Sequence, residues 1–271
     1  MDTDEKWILL TNDDGVDSPA LVPLLRQLTE IALVRAVVPA GECSWTGKIM
    51  SRFNRLELCE VERRGYGMWT LDGYPADCAN IGMHSLWNSP PALVVSGVNV
   101  GGNAGLAYFL SSGTIGAAIE AVLGGVPSVA FSLQLAPQDY ARWRRHRDLS
   151  AAMVEAWEEA AVVAREIVGE ILAGGLPQGA SLLSVNMPPA TTAQTPRRFA
   201  GVTPTGYGHY FARDAASGLF EYDFSGLRMT GKSPGGDIAV LERGEVALTP
   251  IRFALDVEPA MEDRRRFERG S

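Results

Sequence analysis

Short β-rich runs alternate with helical patterns through the first two-thirds of this chain, and that alternation limits its fold more than any other feature. Trp7 to Thr11, Val34 to Val38, Leu93 to Ser96, Ser128 to Ser132 and Leu182 to Val185 read as strands. Strands separated by helices pair most readily in parallel, so the expected fold is α/β, a mainly parallel sheet flanked by helices. Helix starts are legible where Ser18-Pro19 sets an N-cap before a proline and where Pro75 opens a helix running to about Leu86. Further helical patterns run from Thr114 to Leu123, after Gly113, and from Leu149 to Leu172.

From Phe199 the pattern changes. Gly208 to Ala212, Leu219 to Tyr222, Asp237 to Leu241 and Glu245 to Phe253 alternate without a helical period and read as an antiparallel β appendage. The division expected is a core over 1–198, a β-rich extension over 199–260 and a charged tail over 261–271, with Glu262 to Arg269 read as solvated, frayed chain.

Ligands of an open parallel sheet bind beyond the carboxyl ends of its strands. The loops at those positions are Asn12-Asp13-Asp14-Gly15, Pro39 to Ser44, Ser96 to Gly105, and Ser111 to Thr114. The net charge of −8 leaves no basic surface for a nucleic-acid duplex, so a small anionic substrate needs a cation beside it. The three cysteines, Cys43, Cys59 and Cys78, are odd in number and form no CxxC pair, and they read as free thiols. The apolar run Trp7 to Leu10 is too short for a signal-peptide core or a membrane span, and the expected location is the cytoplasm.

Adjacent carboxylates at a strand end oppose each other's ionisation unless a cation or hydrogen-bond donors compensate. Asp13 and Asp14 therefore carry two readings. In one they join hydroxyl and amide oxygens around a hard cation such as Mg²⁺ or Mn²⁺; in the other Asn12 and Asp13 form an ordinary Asn-Asp-Gly turn. The run Ser96 to Gly105 holds four glycines and two asparagines, Asn99 and Asn103, which suits a backbone approaching a ligand closely. It matches neither a dinucleotide nor a Walker fingerprint. Ser111, Ser112, Gly113 and Thr114 open a helix, where hydroxyls and N–H groups form either a phosphate cradle or a plain cap. The common edge of these elements favours the first reading in each case.

The same motifs resemble the SurE survival-protein family of 5′-nucleotidases, also described as acid phosphatases. Asn12 to Gly15 looks like its first motif, and Pro39 to Ser44 resembles its AP-x-x-x-x-S loop. Gly73 to Cys78 resembles GTPADC, Ser96 to Gly105 resembles SGIN-x-G-x-N-x-G, and Ser112 to Ala118 resembles SGTVGAA. Gly236 to Val240 and Leu248 to Pro250 resemble the family's GTD…AV…ITPL ending, so the likeness covers nearly the whole chain. It implies a Rossmann-like core and one divalent cation per subunit, Mg²⁺ or Mn²⁺, held by Asp13, Asp14, Ser44 and Asn99. Ser44 enters that set through the resemblance alone. A homodimer or homotetramer assembled through the β-rich extension is also implied.

The expected reaction is hydrolysis of nucleoside monophosphates, 5′ and also 3′, by a water that the cation activates and Asp13 or Asp14 orients or deprotonates. Asn12, Asn103, Ser111, Ser112, Gly113 and Thr114 are the expected phosphate and substrate contacts. The chain departs from the family pattern at Trp45-Thr46-Gly47-Lys48, at Tyr74 and at Ser111. Trp45 either stacks on a base or packs its own loop, and packing is the commoner fate of an aromatic. None of His84, His146 and His209 lies in the four loops. An aspartyl-phosphate phosphatase needs a second carboxylate two residues after the first, which Asp13-Asp14 does not supply. A receiver-type module needs a lysine after a late strand, where this chain has Leu133-Gln134. The remaining alternative is a metal-dependent nucleotide or phosphate binder without catalysis.

Overall fold

Every residue from Trp7 to Thr11 is buried, and the segment forms the central strand β1 (Trp7–Thr11). Its side chains alternate between two cores. Ile8 and Leu10 join the larger one, while Trp7 and Leu9 join the other, as the two-residue period of a strand requires. The computed structural model describes residues 6–146, 149–224, 226–254 and 256–268.

The chain continues through α1 (Leu21–Thr29), β2 (Leu33–Pro39), the hairpin strands β3 (Leu58–Arg63) and β4 (Tyr66–Leu71), α2 (Pro75–His84) and β5 (Leu93–Val100). Then follow α3 (Leu106–Ser111), α4 (Gly113–Leu123), β6 (Ser128–Leu133), α5 (Pro137–His146), α6 (Ala151–Gly174) and β7 (Leu182–Met187). The last part holds β8 (Arg197–Phe199), β9 (Thr205–Gly206), β10 (Phe211–Arg213), β11 (Phe220–Tyr222), β12 (Arg228–Met229), α7 (Asp237–Glu242), β13 (Val246–Ile251) and α8 (Met261–Phe267).

One nine-stranded sheet runs β3-β4-β2-β1-β5-β6-β7-β13-β8, and the strands from β4 to β7 pair in parallel. Leu21, Leu24 and Leu28 of α1 and Trp157, Ala161 and Val168 of α6 cover one face. Cys78 and Met83 of α2 and Ala121 of α4 cover the other. Each large apolar side chain so buried contributes on the order of 2 kcal/mol. The exposed pairs Arg26–Glu158 and Arg165–Glu30 tie α1 to α6 and add little to that. Among the described residues no helix is long and apolar enough to cross a membrane.

Four expectations change. Ser18-Pro19 makes a turn in which the Leu21 N–H meets the Ser18 carbonyl, and α1 starts at Leu21 without a side-chain cap. Asp237 to Glu242 is a helix, because its first-turn carboxylate satisfies N–H groups that a strand would leave open. Val246 to Ile251 does not belong to the appendage. It pairs antiparallel with β7 and parallel with β8, so the division at residue 198 cuts through the main sheet. The appendage reduces to the small β10-β11 hairpin and the short antiparallel pair β9-β12, whose strands precede and follow it in sequence. The charged tail is helical from Met261 to Phe267, with no buried side chain, and Arg269 lies outside the described residues.

The chain leaves β1 toward β2 on one side and later adds β5 on the other, so the crevice between the carboxyl ends of β1 and β5 is the topological switch point. The register of β5 against β6 shifts between Ser96 and Asn99. Gly97 sits at that shift with φ 129°, where a Cβ would lie 2.4 Å from the Phe131 carbonyl oxygen. On the other side of the crevice, α4 packs under the loop after β2, and a Cβ on Gly116 would lie 2.1 Å from the Gly47 carbonyl oxygen. Backbone cannot yield as a flexible side chain does. Gly116→Ala is therefore expected to lower the unfolding free energy by about 2 kcal/mol, read from urea denaturation, through displacement of the 44–48 loop.

Candidate active site

The turn after β1 is built around Asn12, which is fully buried. Its amide nitrogen donates to the Gly15 carbonyl at 3.0 Å and its oxygen accepts the Gly15 N–H at 3.1 Å, so both polar ends are used within the turn. Gly15, at φ 80°, lies so close to Gly41 that a Cβ would be 2.7 Å from its carbonyl. The Cys43 N–H donates to the Asp13 carbonyl at 2.7 Å, and the Val16 N–H donates to the Pro39 carbonyl at 3.0 Å. These bonds hold the turn after β1 against the loop after β2, which carries Ser44.

Asp13 is 3% exposed. One of its oxygens accepts the Thr114 hydroxyl at 2.5 Å, and a Cβ on Gly113 would sit 2.8 Å from the Asp13 Cβ. Burial raises its pKa to about 6, against the opposing effect of the Thr114 hydroxyl and backbone N–H, and nearby Glu42 raises it further. The anion at the start of α4 is thus the carboxylate of Asp13 itself. The glycine at position 113 admits that approach, and Thr114 serves the carboxylate instead of facing the cavity.

A cavity of about 340 Å³ opens at this point, lined by Asp13, Ser44, Asn99, Asn103, Ser111 and Ser112 among others. Asn99 donates its amide nitrogen to the Gly101 carbonyl at 2.8 Å, so a ligating role falls to its oxygen. Ser44 donates to Glu42 at 2.9 Å. Asn103 is anchored twice, through its backbone N–H to Asn186 and its amide to Ser132, each at 2.8 Å. Ser111 is hydrogen-bonded to the Tyr207 hydroxyl at 2.7 Å, and Ser112 caps α4 by accepting the Ile115 N–H at 3.2 Å.

Asp14 stands apart from that lining. Its carboxylate accepts the Val100 N–H at 2.9 Å, tying β1 to β5, and it lines a second cavity of about 460 Å³ with Gly41 and Glu42. Of the four expected cation ligands, then, three share one cavity and the fourth reaches β5 from the same turn. Asn12, Gly113 and Thr114 hold Asp13 in place and do not line the cavity.

The donor set suits a hard cation. Among the described residues no three His, Cys, Asp or Glu side chains gather into a metal site, so a cation at Asp13 would draw on the hydroxyl of Ser44 and the amide oxygen of Asn99. Carboxylate, hydroxyl and amide oxygens match Mg²⁺ or Mn²⁺ better than zinc. A desolvated carboxylate gains most from such a charge. Thiol chemistry is disfavoured, because burial and the charges of Asp13 and Glu42 push Cys43 up to about 11. Cys43, Cys59 and Cys78 are free thiols, as expected.

Sequence reading missed two groups of residues. Asp237 is 3% exposed and accepts the N–H groups of Gly105 at 2.9 Å and Thr203 at 3.0 Å, which pins the end of the glycine-rich loop. Its place in the GTD-like motif was the available signal. Tyr108, Tyr140, Tyr222 and Phe224 also line the first cavity, and they are scattered over α3, α5, β11 and the segment just after it, with no common spacing.

The sequence model of the family described as "Survival protein SurE" matches residues 8–212. The 5′-nucleotidase SurE of Methanoregula boonei is 31% identical, across 96% of this chain and 97% of the relative. That of Rhodopirellula baltica is 36% identical across 92% and 93%. Among solved structures, the crystal structure of the SurE protein from Aquifex aeolicus superposes with a TM-score of 0.74 at 26% identity, covering 96% of this chain and 97% of that one.

The raised pKa of Asp13 has a consequence for stability. A carboxyl with a folded pKa of about 6 and an ordinary value of 3.8 holds its proton more tightly in the fold. Its contribution to stability is fullest at low pH and is lost as pH rises through that window. With chelator present, Asp13→Asn is expected to raise the melting temperature at pH 8 and to shrink that gain on titration toward pH 5. A fall in melting temperature at pH 8 would contradict the burial argument.

Proposed function

The chain belongs to the SurE family, and on that premise we propose that it is a divalent-metal-dependent phosphomonoesterase acting on nucleoside monophosphates. The activity is that of a 5′-nucleotidase, with nucleoside 3′-monophosphates as a second substrate class. The observation that carries this reading is a desolvated carboxylate, Asp13, sharing one cavity with Ser44 and Asn99 at the switch point of the sheet. Relatives named 5′-nucleotidase SurE align with almost the entire chain.

Asp13, Ser44 and Asn99, with Asp14 from the same turn, would hold one Mg²⁺ or Mn²⁺ per subunit. When bound, the cation supplies Lewis acidity toward a phosphoryl oxygen and lowers the pKa of a water. Asp14 or Asp13 orients the attacking water and accepts its proton. Ser111, Ser112 and Asn103, at the cavity wall, donate to the phosphoryl oxygens, and each well-aimed donor stabilises the developing charge by ~3 kcal/mol. The alcohol of the nucleoside leaves with a proton, and inorganic phosphate remains.

Assembly into a homodimer or homotetramer belongs to the same proposal. Its support is the β10-β11 hairpin, which leaves Phe211, Leu219 and Phe220 exposed at 58%, 67% and 69%, a cost that a neighbouring subunit would remove.

The test is phosphate release from nucleoside 5′- and 3′-monophosphates with Mg²⁺, Mn²⁺ or chelator. Release is expected with metal alone, and Asp14→Asn is expected to lower kcat by at least ~100-fold while the protein stays folded. Full activity of that variant removes Asp14 from the chemistry. Metal-dependent nucleotide binding without phosphate release would replace the enzyme by a binding module.

A further inference from the structure

Trp45 follows Ser44 directly and lines the same cavity as Asp13. Its backbone is left-handed, at φ 64°, a conformation that is unfavourable for a bulky residue and persists only where the surroundings impose it. The side chain is nevertheless 48% exposed, so burial does not repay that strain. Three rings touch it, Tyr108 and Tyr207 at 5.7 Å and Tyr210 at 5.8 Å between centroids. Their planes are inclined to the indole by 85°, 45° and 62°, so none of them stacks parallel to it. The support is rigid on one side, because the Tyr207 hydroxyl donates to the Ala107 carbonyl and is also hydrogen-bonded to the Ser111 hydroxyl, each at 2.7 Å.

The cavity therefore has two chemical ends on one continuous loop. Ser44 faces it beside Asp13 and Asn99, and the next residue presents an indole braced by tyrosines. A molecule with an anionic group and a flat π-system fits that arrangement, whereas a simple sugar phosphate uses only the first end. We propose that Trp45, braced by Tyr108 and Tyr207, is the stacking platform for the nucleobase of the substrate, and that it sets the preference for nucleotides over base-free phosphomonoesters. The proposal rests on the nucleotidase reading and adds to it the residue that selects the substrate class. Stacking strength rises with ring area, so purine nucleotides are preferred over pyrimidine ones.

The experiment compares adenosine 5′-monophosphate with ribose 5-phosphate for the wild type, Trp45→Leu and Trp45→Phe, with melting temperatures recorded for each. Leucine keeps the apolar bulk and removes the π face, while phenylalanine keeps a smaller one. The ratio of kcat/KM for the nucleotide to that for the sugar phosphate is expected to fall about ten-fold in Trp45→Leu, mostly through KM, and to recover largely in Trp45→Phe. Equal losses on both substrates would show that Trp45 only shapes the loop that carries Ser44, and would overturn the proposal. A parallel titration with adenosine, read by tryptophan fluorescence, keeps the two readings apart. Quenching that disappears in Trp45→Phe supports the platform even if neither phosphate ester is hydrolysed, in which case the nucleotidase reading alone falls. Quenching that persists in Trp45→Phe, or none in the wild type, overturns the platform.

Discussion

A carboxylate held out of water at the end of a central strand is the constraint around which this site is arranged. Asp13 is surrounded by Thr114 from α4, by Cys43 from the loop after β2 and by the turn that Asn12 closes. None of these contacts neutralises a full charge, and the pKa of about 6 records the deficit. A protein keeps such a group ionised only with a cation or at a cost in stability. The glycines follow from the same constraint. Gly113 admits α4 to Asp13, Gly116 admits the same helix to the 44–48 loop, and Gly15 admits the turn to Gly41, each at a separation that excludes a Cβ.

The sheet supplies the rest of the geometry. Strand β1 is fixed by two independent cores, which makes its carboxyl end a rigid mount. The β5 irregularity between Ser96 and Asn99 brings an asparagine to the crevice, and the Asp14 carboxylate closes the gap by accepting the Val100 N–H. Asp237, more than a hundred residues later, fixes the far end of the glycine-rich loop at Gly105. The C-terminal segment is thus part of the site's support as well as of the sheet, through β13.

The central strands and the helices α2, α4 and α6 were legible because period and punctuation agree there. Pro75 opens α2, Ser112 caps α4, and the apolar runs of β1 and β6 are too short to be anything but buried strands. The C-terminal third misled because Val246 to Ile251 has the same alternation whether it edges an appendage or enters the main sheet, and only the pairing with β7 decides. Asp237 to Glu242 is too short for a helical period to show. In the candidate site, the loops at strand ends pointed to Asp13, Asn99 and Asn103 from their chemistry and to Ser44 from a motif, and all four line one cavity, whereas Asp14, pointed to on the same grounds, lines the neighbouring one. What spacing could not express was direction: Thr114 and Asn12 turn inward to hold Asp13, while Ser111 and Ser112 reach the cavity. The aromatic wall was invisible for a related reason, since its members meet only after three separate elements pack together.

The loop after β2 concentrates the costs of this design. It carries Ser44, it bonds to Asp13 through Cys43, and it holds Trp45 in a backbone state that costs of the order of 1–3 kcal/mol. That cost is comparable to burying a single large apolar side chain, and α1 and α6 bury many of them against the same sheet. Stability is therefore made in the helical layers and spent at the sheet's carboxyl edge. Because the strain at Trp45 and the charge at Asp13 are separate costs on adjoining segments, changes in the aromatic wall can alter which molecules are held without altering how Asp13 is held. A change at Gly113 or Thr114 reaches the Asp13 carboxylate directly. The two ends of the cavity can thus diverge independently on one scaffold, with the carboxylate cradle fixed by the Thr114 hydroxyl, the Asn12 side chain and close backbone approaches, and the wall free to vary by side chain.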